Sequence, residues 1–104
     1  NSKFSNWQRI AEALIPKLSS NQKLNDIKPI VVSVLEVSKA AQRLTKLIKA
    51  GNSLSQEEYD NVKKTLHNAM QIRQEIVVTS AYVVESLLFR AANKTDKTFN
   101  YVMP

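Results

Sequence analysis

The residues able to do acid–base or metal chemistry are few and scattered. His67 is the only histidine, and helical spacing places it on a polar face with Lys64 and Gln71, without a carboxylate to orient it. One histidine cannot make a usual zinc site, and the chain has no cysteine to supply thiolate ligands, nucleophiles or disulfides. We interpret His67 as a solvated surface side chain.

Two other patterns resemble sites only superficially. Ser20 and Lys23 match the S-x-x-K pattern of acyl-transferring serine enzymes, but the companion motifs and the large sheet of those enzymes are missing. Glu57, Glu58 and Asp60 cluster at a predicted helix start, where carboxylates complement the helix dipole without any metal. A glycine-rich phosphate loop is implausible in a chain with one glycine. The sequence therefore predicts no enzyme, no metal site and no cofactor.

The charge balance permits anionic partners. Fifteen Lys and Arg against nine Asp and Glu give a net charge of +6. Four of the cations fall on one face of the second predicted helix, and they define the basic strip: Lys28, Lys39, Arg43 and Lys46. This strip is a candidate for phosphate contacts, although no aromatic residue interleaves it to stack on bases. Nucleic-acid association is thus the alternative function, against an ordinary solvated helix face.

Composition favours a small all-α bundle. The chain has 104 residues and a single glycine, whereas sheet proteins need many turns with glycine, asparagine or proline. Residues 1–94 are predicted to form one helical domain, and residues 95–104 an extended or disordered tail. No apolar run is long enough to span a membrane. The compartment is left open.

The first helix is predicted over residues 5–18, with a capping box that begins at Ser5. Pro16 lacks an amide hydrogen and clashes with the preceding turn, so the helix is expected to end or kink near Ile15. Three apolar side chains recur at helical spacing and are expected to face the bundle: Trp7, Ile10 and Leu14.

The second helix is predicted over residues 26–50, from an N-cap at Asp26 to a left-handed C-terminal residue at Gly51. Its apolar seam alternates spacings of three and four residues: Ile27, Ile30, Val34, Val37, Ala41, Leu44 and Ile48. The following link is short, so the next helix should return antiparallel. Ser55 and Glu58 form a capping box at its start.

The third helix has no stop signal before about residue 93, which makes it about 37 residues long, or about 55 Å. A break near Thr79 and Ser80 is the alternative, and it would give four helices instead of three. The fold is therefore a long antiparallel hairpin of helices 2 and 3. The first helix is expected to lie across the C-terminal half of the third.

Residues 76–92 are apolar around most of the helix circumference, so they must be covered on most sides. The leading function is a non-enzymatic interaction or assembly module that buries this face against a second copy or a protein partner. The predicted interaction face is Val77, Ala81, Val84, Glu85, Leu88 and Phe89. Within it, Glu85 is placed to pair with Arg73 of a second copy if two antiparallel helices cross near Thr79. A self-contained bundle in which the last segment folds back is the other reading.

Overall fold

Four α-helices make up most of residues 2–93, the part of the chain that the computed structural model describes. They are α1 (Ser2–Ser19), α2 (Lys28–Ala50), α3 (Gln56–Ile72) and α4 (Glu75–Asn93), with one 3-10 turn at Gln22–Leu24. No strand occurs within these residues. The predicted all-α bundle is confirmed, in its four-helix form. The predicted tail of residues 95–104 lies outside the described residues.

Successive helices run antiparallel, and α2 lies at the centre. Gln42 of α2 donates a hydrogen bond to Gln8 of α1, and Arg43 of α2 binds Glu58 at the start of α3. The link between α3 and α4 is two residues long, so α4 folds back along α3. Helix α2 packs against α1, α3 and α4, whereas α1 has α2 as its main neighbour. The predicted position of the first helix across the third is therefore wrong.

Helix α1 is longer than predicted at both ends. It begins at Ser2 rather than Ser5, and it continues through Pro16 to Ser19. Proline inside a helix removes one backbone hydrogen bond and crowds the preceding turn. Pro16 is exposed and only one turn from the C-terminus, where few hydrogen bonds remain to be lost. The expected end near Ile15 is therefore not observed.

The ends of the central hairpin follow local capping rules. Gly51 adopts φ +70°, and its N–H donates to the carbonyl of Ile48 at 3.2 Å. Ser55 caps α3, because its Oγ accepts the N–H of Glu58 at 3.1 Å. Both predicted caps are confirmed. The start of α2 differs: it begins at Lys28, after an Ile27 cap that makes no side-chain hydrogen bond, and not at Asp26.

The predicted long third helix is wrong, and so is the predicted position of its break. Arg73 takes a left-handed conformation with φ 58°, and its N–H donates to the carbonyl of Met70 at 3.3 Å. The helix ends there, six residues before Thr79. No glycine or proline marks this site, so local sequence gave no signal for it. The fold-back places the apolar residues of α4 against α2 and α3.

A continuous core joins all four helices. Its buried apolar members come from α1, from each later helix and from the link before α3: Phe4, Val37, Ala41, Leu44, Leu54, Tyr59, Val62, Leu66, Ala69, Val77, Ala81, Val84, Leu88, Ala91 and Ala92. Beside this core, an open apolar groove lies between α1, α2 and Ile76 of α4.

Candidate docking groove

An apolar groove lies between α1, α2 and the first turn of α4. It encloses about 320 Å³, and all eight side chains that line it are apolar: Trp7, Ile10, Ala11, Leu14, Ile30, Val31, Val34 and Ile76. Ligand and peptide sites are commonly concave and mostly apolar, and this volume is at the lower end of their range. We refer to these eight residues as the α1–α4 groove.

The groove exists because α1 carries two apolar stripes and buries only one. Phe4, Ala11 and Leu18 recur every seven residues and are buried. Ile10 and Leu14 lie on the adjacent stripe and remain 48% and 39% exposed. The sequence prediction that these two side chains face the bundle is therefore wrong. Spacing alone could not decide which stripe meets α2, because both fit helical periodicity.

Helix α4 contributes the opposite wall. Ile76 lines the groove and is 49% exposed, and Val83 lies seven residues further along on the same side, also exposed. Tyr82 and Phe89 are exposed on the other edge of α4, beyond the polar Ser86. Exposed apolar residues thus occupy both edges of α4, and of these Ile76 lines the groove.

The predicted interaction face is mostly inside the protein. Val77, Ala81, Val84 and Leu88 are buried in the core by α2 and α3, so they are not accessible to a second molecule in this fold. Glu85 is half-buried and Phe89 is exposed. The sequence identified the apolar segment correctly, but it could not show that the chain covers most of this segment itself.

Glu85 is a half-buried carboxylate beside the core. Burial raises its pKa from the ordinary value of 4.5. Burial likewise raises the pKa of Tyr59, with smaller contributions from the negative charges of Asp60 and Glu85. Helix α3 thus brings Tyr59 close to Glu85. Arg73 lies in the exposed link between α3 and α4. Within one chain it is therefore at the opposite end of α3 from Tyr59 and Glu85.

One cation, Lys3, contacts aromatic rings at the N-terminal end of α1. Lys3 Nζ lies 4.6 Å from the centroid of the Trp7 ring and 5.7 Å from that of Phe4, and the two rings pack edge to face with centroids 5.9 Å apart. A lysine in this position forms a cation–π interaction. The contact fixes a positive charge beside the aromatic end of the groove.

The basic strip on α2 is only partly available. Arg43 forms a salt bridge with Glu58, with Nη2 and Oε2 2.5 Å apart, and its Nε donates to the same oxygen at 2.8 Å. Burial opposes ionisation of Glu58, but this partner and the hydrogen bonds of Ser55 lower its pKa below the ordinary value. Lys39 and Lys46 are exposed and Lys28 is half-buried. The central cation of the strip is therefore neutralised by α3.

The candidate chemistry found in the sequence does not converge in the fold. His67 is exposed on α3, and Glu57 and Asp60 lie in or next to the first turn of the same helix. Across residues 2–93, no three His, Asp or Glu side chains are placed to hold a metal ion. Ser20 and Lys23 are exposed near the 3-10 turn.

Two buried serines differ in their hydrogen bonding. Ser80 Oγ donates to the carbonyl of Ile76 at 2.7 Å. Ser38, on α2, is also fully buried, but its hydroxyl has no hydrogen-bond partner. Buried polar groups of this kind are uncommon in folded proteins. Neither serine lines the α1–α4 groove.

Comparison with known proteins adds no relative. No protein-family model, no curated protein and no solved structure matches the chain. Among the described helices, none is both long enough and apolar enough to cross a bilayer.

Proposed function

We propose that this chain is a non-enzymatic protein–protein interaction module that takes up an apolar segment of a protein partner in the α1–α4 groove. The observation that carries the proposal is the lining, which is apolar at every position while Ile10, Leu14 and Ile76 remain 39–49% exposed. Contiguous exposed apolar surface of this kind often marks an interaction site.

The free energy that favours docking comes from burying these three side chains. Completing the burial of a half-exposed leucine or isoleucine contributes about 1 kcal/mol. Trp7 adds an aromatic side chain at the end of the groove nearest the N-terminus of α1. Aromatic residues are frequent hot spots of binding energy in interfaces. The site is concave, so a convex apolar segment fits it better than a flat surface does.

Helical segments are the natural shape for such a site. Its lining comes from α1 and α2, with Ile76 of α4 closing one side, and a groove between helices can accept a further helix. The partner would then continue the helix-on-helix packing of the bundle. The proposed docking surface therefore differs from the interaction face predicted for residues 76–92: it uses Ile76 and its groove neighbours rather than the buried side of α4.

The nucleic-acid alternative has weaker support. Its strip is interrupted where Arg43 pairs with Glu58, and it contains no exposed aromatic side chain. The net charge of +6 supports an anionic partner of any class. A specific observation favours the groove and none favours the strip, so the strip is not proposed as the functional surface.

Selection of binding peptides on the purified protein tests the proposal. A display library of helical peptides with a fixed leucine stripe is enriched on the wild-type chain and on two variants. Ile76→Glu places a charge in the groove. Tyr82→Glu is the matched control, because Tyr82 is 50% exposed on the same helix but outside the groove.

We expect the enriched peptides to bind both the wild type and the Tyr82→Glu variant. The same peptides should lose most of their affinity for the Ile76→Glu variant. Trp7 is the only tryptophan, so its fluorescence should shift when the same peptides bind. Absence of any enriched peptide, or peptides that are insensitive to Ile76→Glu, would show that the groove does not dock proteins.

A further inference from the structure

The α1–α4 groove has a charged border as well as an apolar floor. On α1 a single stripe with spacings of three and four residues runs Lys3, Trp7, Ile10, Leu14 and Lys17. Three apolar residues are thus flanked by a lysine at each end, and both lysines are exposed. Glu12 lies on the opposite side of α1, about 160–200° from Ile10 and Leu14.

The wall formed by α4 ends in a cation too. Ile76, Val83 and Arg90 are seven residues apart, so they occupy one side of the helix. Arg90 is exposed. Because α4 runs antiparallel to α1, Arg90 lies toward the Lys3 end of the bundle, about 21 Å along α4 from Ile76, and Lys17 lies toward the other end. Glu75 is the acidic neighbour of Ile76, and it is the charge that opposes this pattern.

Building on the proposed function, we propose that the partner segment is an amphipathic helix whose apolar stripe is flanked by carboxylates. Aspartate or glutamate beside the apolar anchors would meet Lys3 at one end of the groove and Lys17 at the other, and a helix long enough to extend past Lys3 would also approach Arg90. Charge complementarity of this type selects partners and speeds their association.

The same charges disfavour a second copy of the chain. Two copies meeting through this groove would bring lysine stripes together, and each copy carries a net charge of +6. Like charges placed opposite one another oppose association. An acidic helix meets no such opposition, and the occupant is therefore inferred to be a different protein.

A charge-coded version of the peptide library tests this inference. The leucine stripe stays fixed, and each flanking position is drawn from glutamate or lysine. Peptides are enriched on the wild-type chain and on the double variant Lys17→Glu/Arg90→Glu. Both substitutions are on exposed positions, so the fold is expected to persist, and circular dichroism checks it. Lys39→Glu/Lys46→Glu is the matched control, since it makes the same charge change away from the groove.

We expect glutamate at the flanking positions on the wild type and on the control, and lysine on the double variant. Each exposed pair changes affinity by a factor of about 1.5 to 5, so replacing attraction with repulsion at the two reversed cations should change the dissociation constant about fivefold or more. The preference should weaken at about 1 M salt, where screening is strong.

The outcomes separate this inference from the function on which it rests. If no peptide distinguishes wild type from Ile76→Glu, the groove is not a docking site. If leucine-stripe peptides bind at the groove with no preference for glutamate, docking stands and the acidic partner is refuted.

Two further results would also refute the acidic helix. A dimer in sedimentation that Ile76→Glu dissociates would show that a second copy fills the groove. A shift of Trp7 emission on phosphatidylglycerol vesicles, without any peptide enrichment, would assign the groove to a lipid surface.

Discussion

The two buried serines offer a direct test of how hydrogen bonding is distributed in the core. Ser38 and Ser80 are both buried on helices, but only Ser80 has a partner for its hydroxyl, the carbonyl of Ile76 at 2.7 Å. Alanine removes the hydroxyl and nothing else. Ser38→Ala should therefore stabilise the protein, and Ser80→Ala should not stabilise it to the same degree.

The magnitudes follow from the two environments. A buried hydroxyl without a hydrogen bond is unfavourable by about 1–3 kcal/mol, and removing it leaves a void smaller than a methyl group. Ser80→Ala loses a hydrogen bond worth about 0.5–1.5 kcal/mol. Alanine improves helix propensity by about 0.5 kcal/mol at both sites, which cancels in the comparison. We expect the free energy of unfolding to be about 1.5–4.5 kcal/mol higher for Ser38→Ala than for Ser80→Ala.

Urea denaturation followed by circular dichroism measures this difference, and thermal unfolding provides a second readout. A difference of 1 kcal/mol corresponds to about 4–8 °C in Tm for a chain of about this size. Equal losses of stability in both variants would refute the reasoning, because they would mean that the Ser38 hydroxyl is hydrogen-bonded in solution.

Two further substitutions test the backbone and the electrostatics of α4. Burial raises the pKa of Glu85, so the folded state disfavours its charge, and stability is lost as the pH rises above about 4.5. Glu85→Gln should therefore stabilise the protein at about pH 7 and change little at about pH 3. A loss of stability at about pH 7, or the same effect at both pH values, would contradict this reasoning. Arg73 adopts a left-handed conformation that is unfavourable for a residue with a Cβ, so Arg73→Gly should add about 0.5–1 kcal/mol to the free energy of unfolding. Arg73→Ala is the control because it keeps the Cβ; a similar gain there would assign the effect to the arginine side chain.

The parts of the fold that depend on local chemistry were predictable. Gly51 and Ser55 define their helix ends through backbone freedom and a side-chain acceptor, and both effects operate within four residues. The break at Arg73 was not predictable in this way. An arginine in the left-handed region is unfavourable by itself, so the packing of α4 onto α2 and α3 must compensate for it. A preference imposed by tertiary packing leaves no local signature.

The candidate site was harder to predict than the fold. Val77, Ala81, Val84 and Leu88 have the residue types of a docking surface, but the same types form cores, and only the fold-back of α4 decides between the two. Ile10 was placed inside for the same reason. The signal that the sequence did contain is the pair of lysines, Lys3 and Lys17, which bracket one stripe of α1 and leave the Phe4 stripe without charge.

The position of α1 also has a consequence for local unfolding. Helix α2 is held by three neighbours, whereas α1 is held mainly by α2, so opening α1 breaks one helix–helix interface and leaves the other three helices in contact. Amide hydrogens of α1 should exchange with solvent through this partial opening, and those in the middle of α2 only through global unfolding. A partner bound between α1 and α4 would suppress the partial opening of α1. Slower amide hydrogen exchange across residues 2–19 would therefore report its binding.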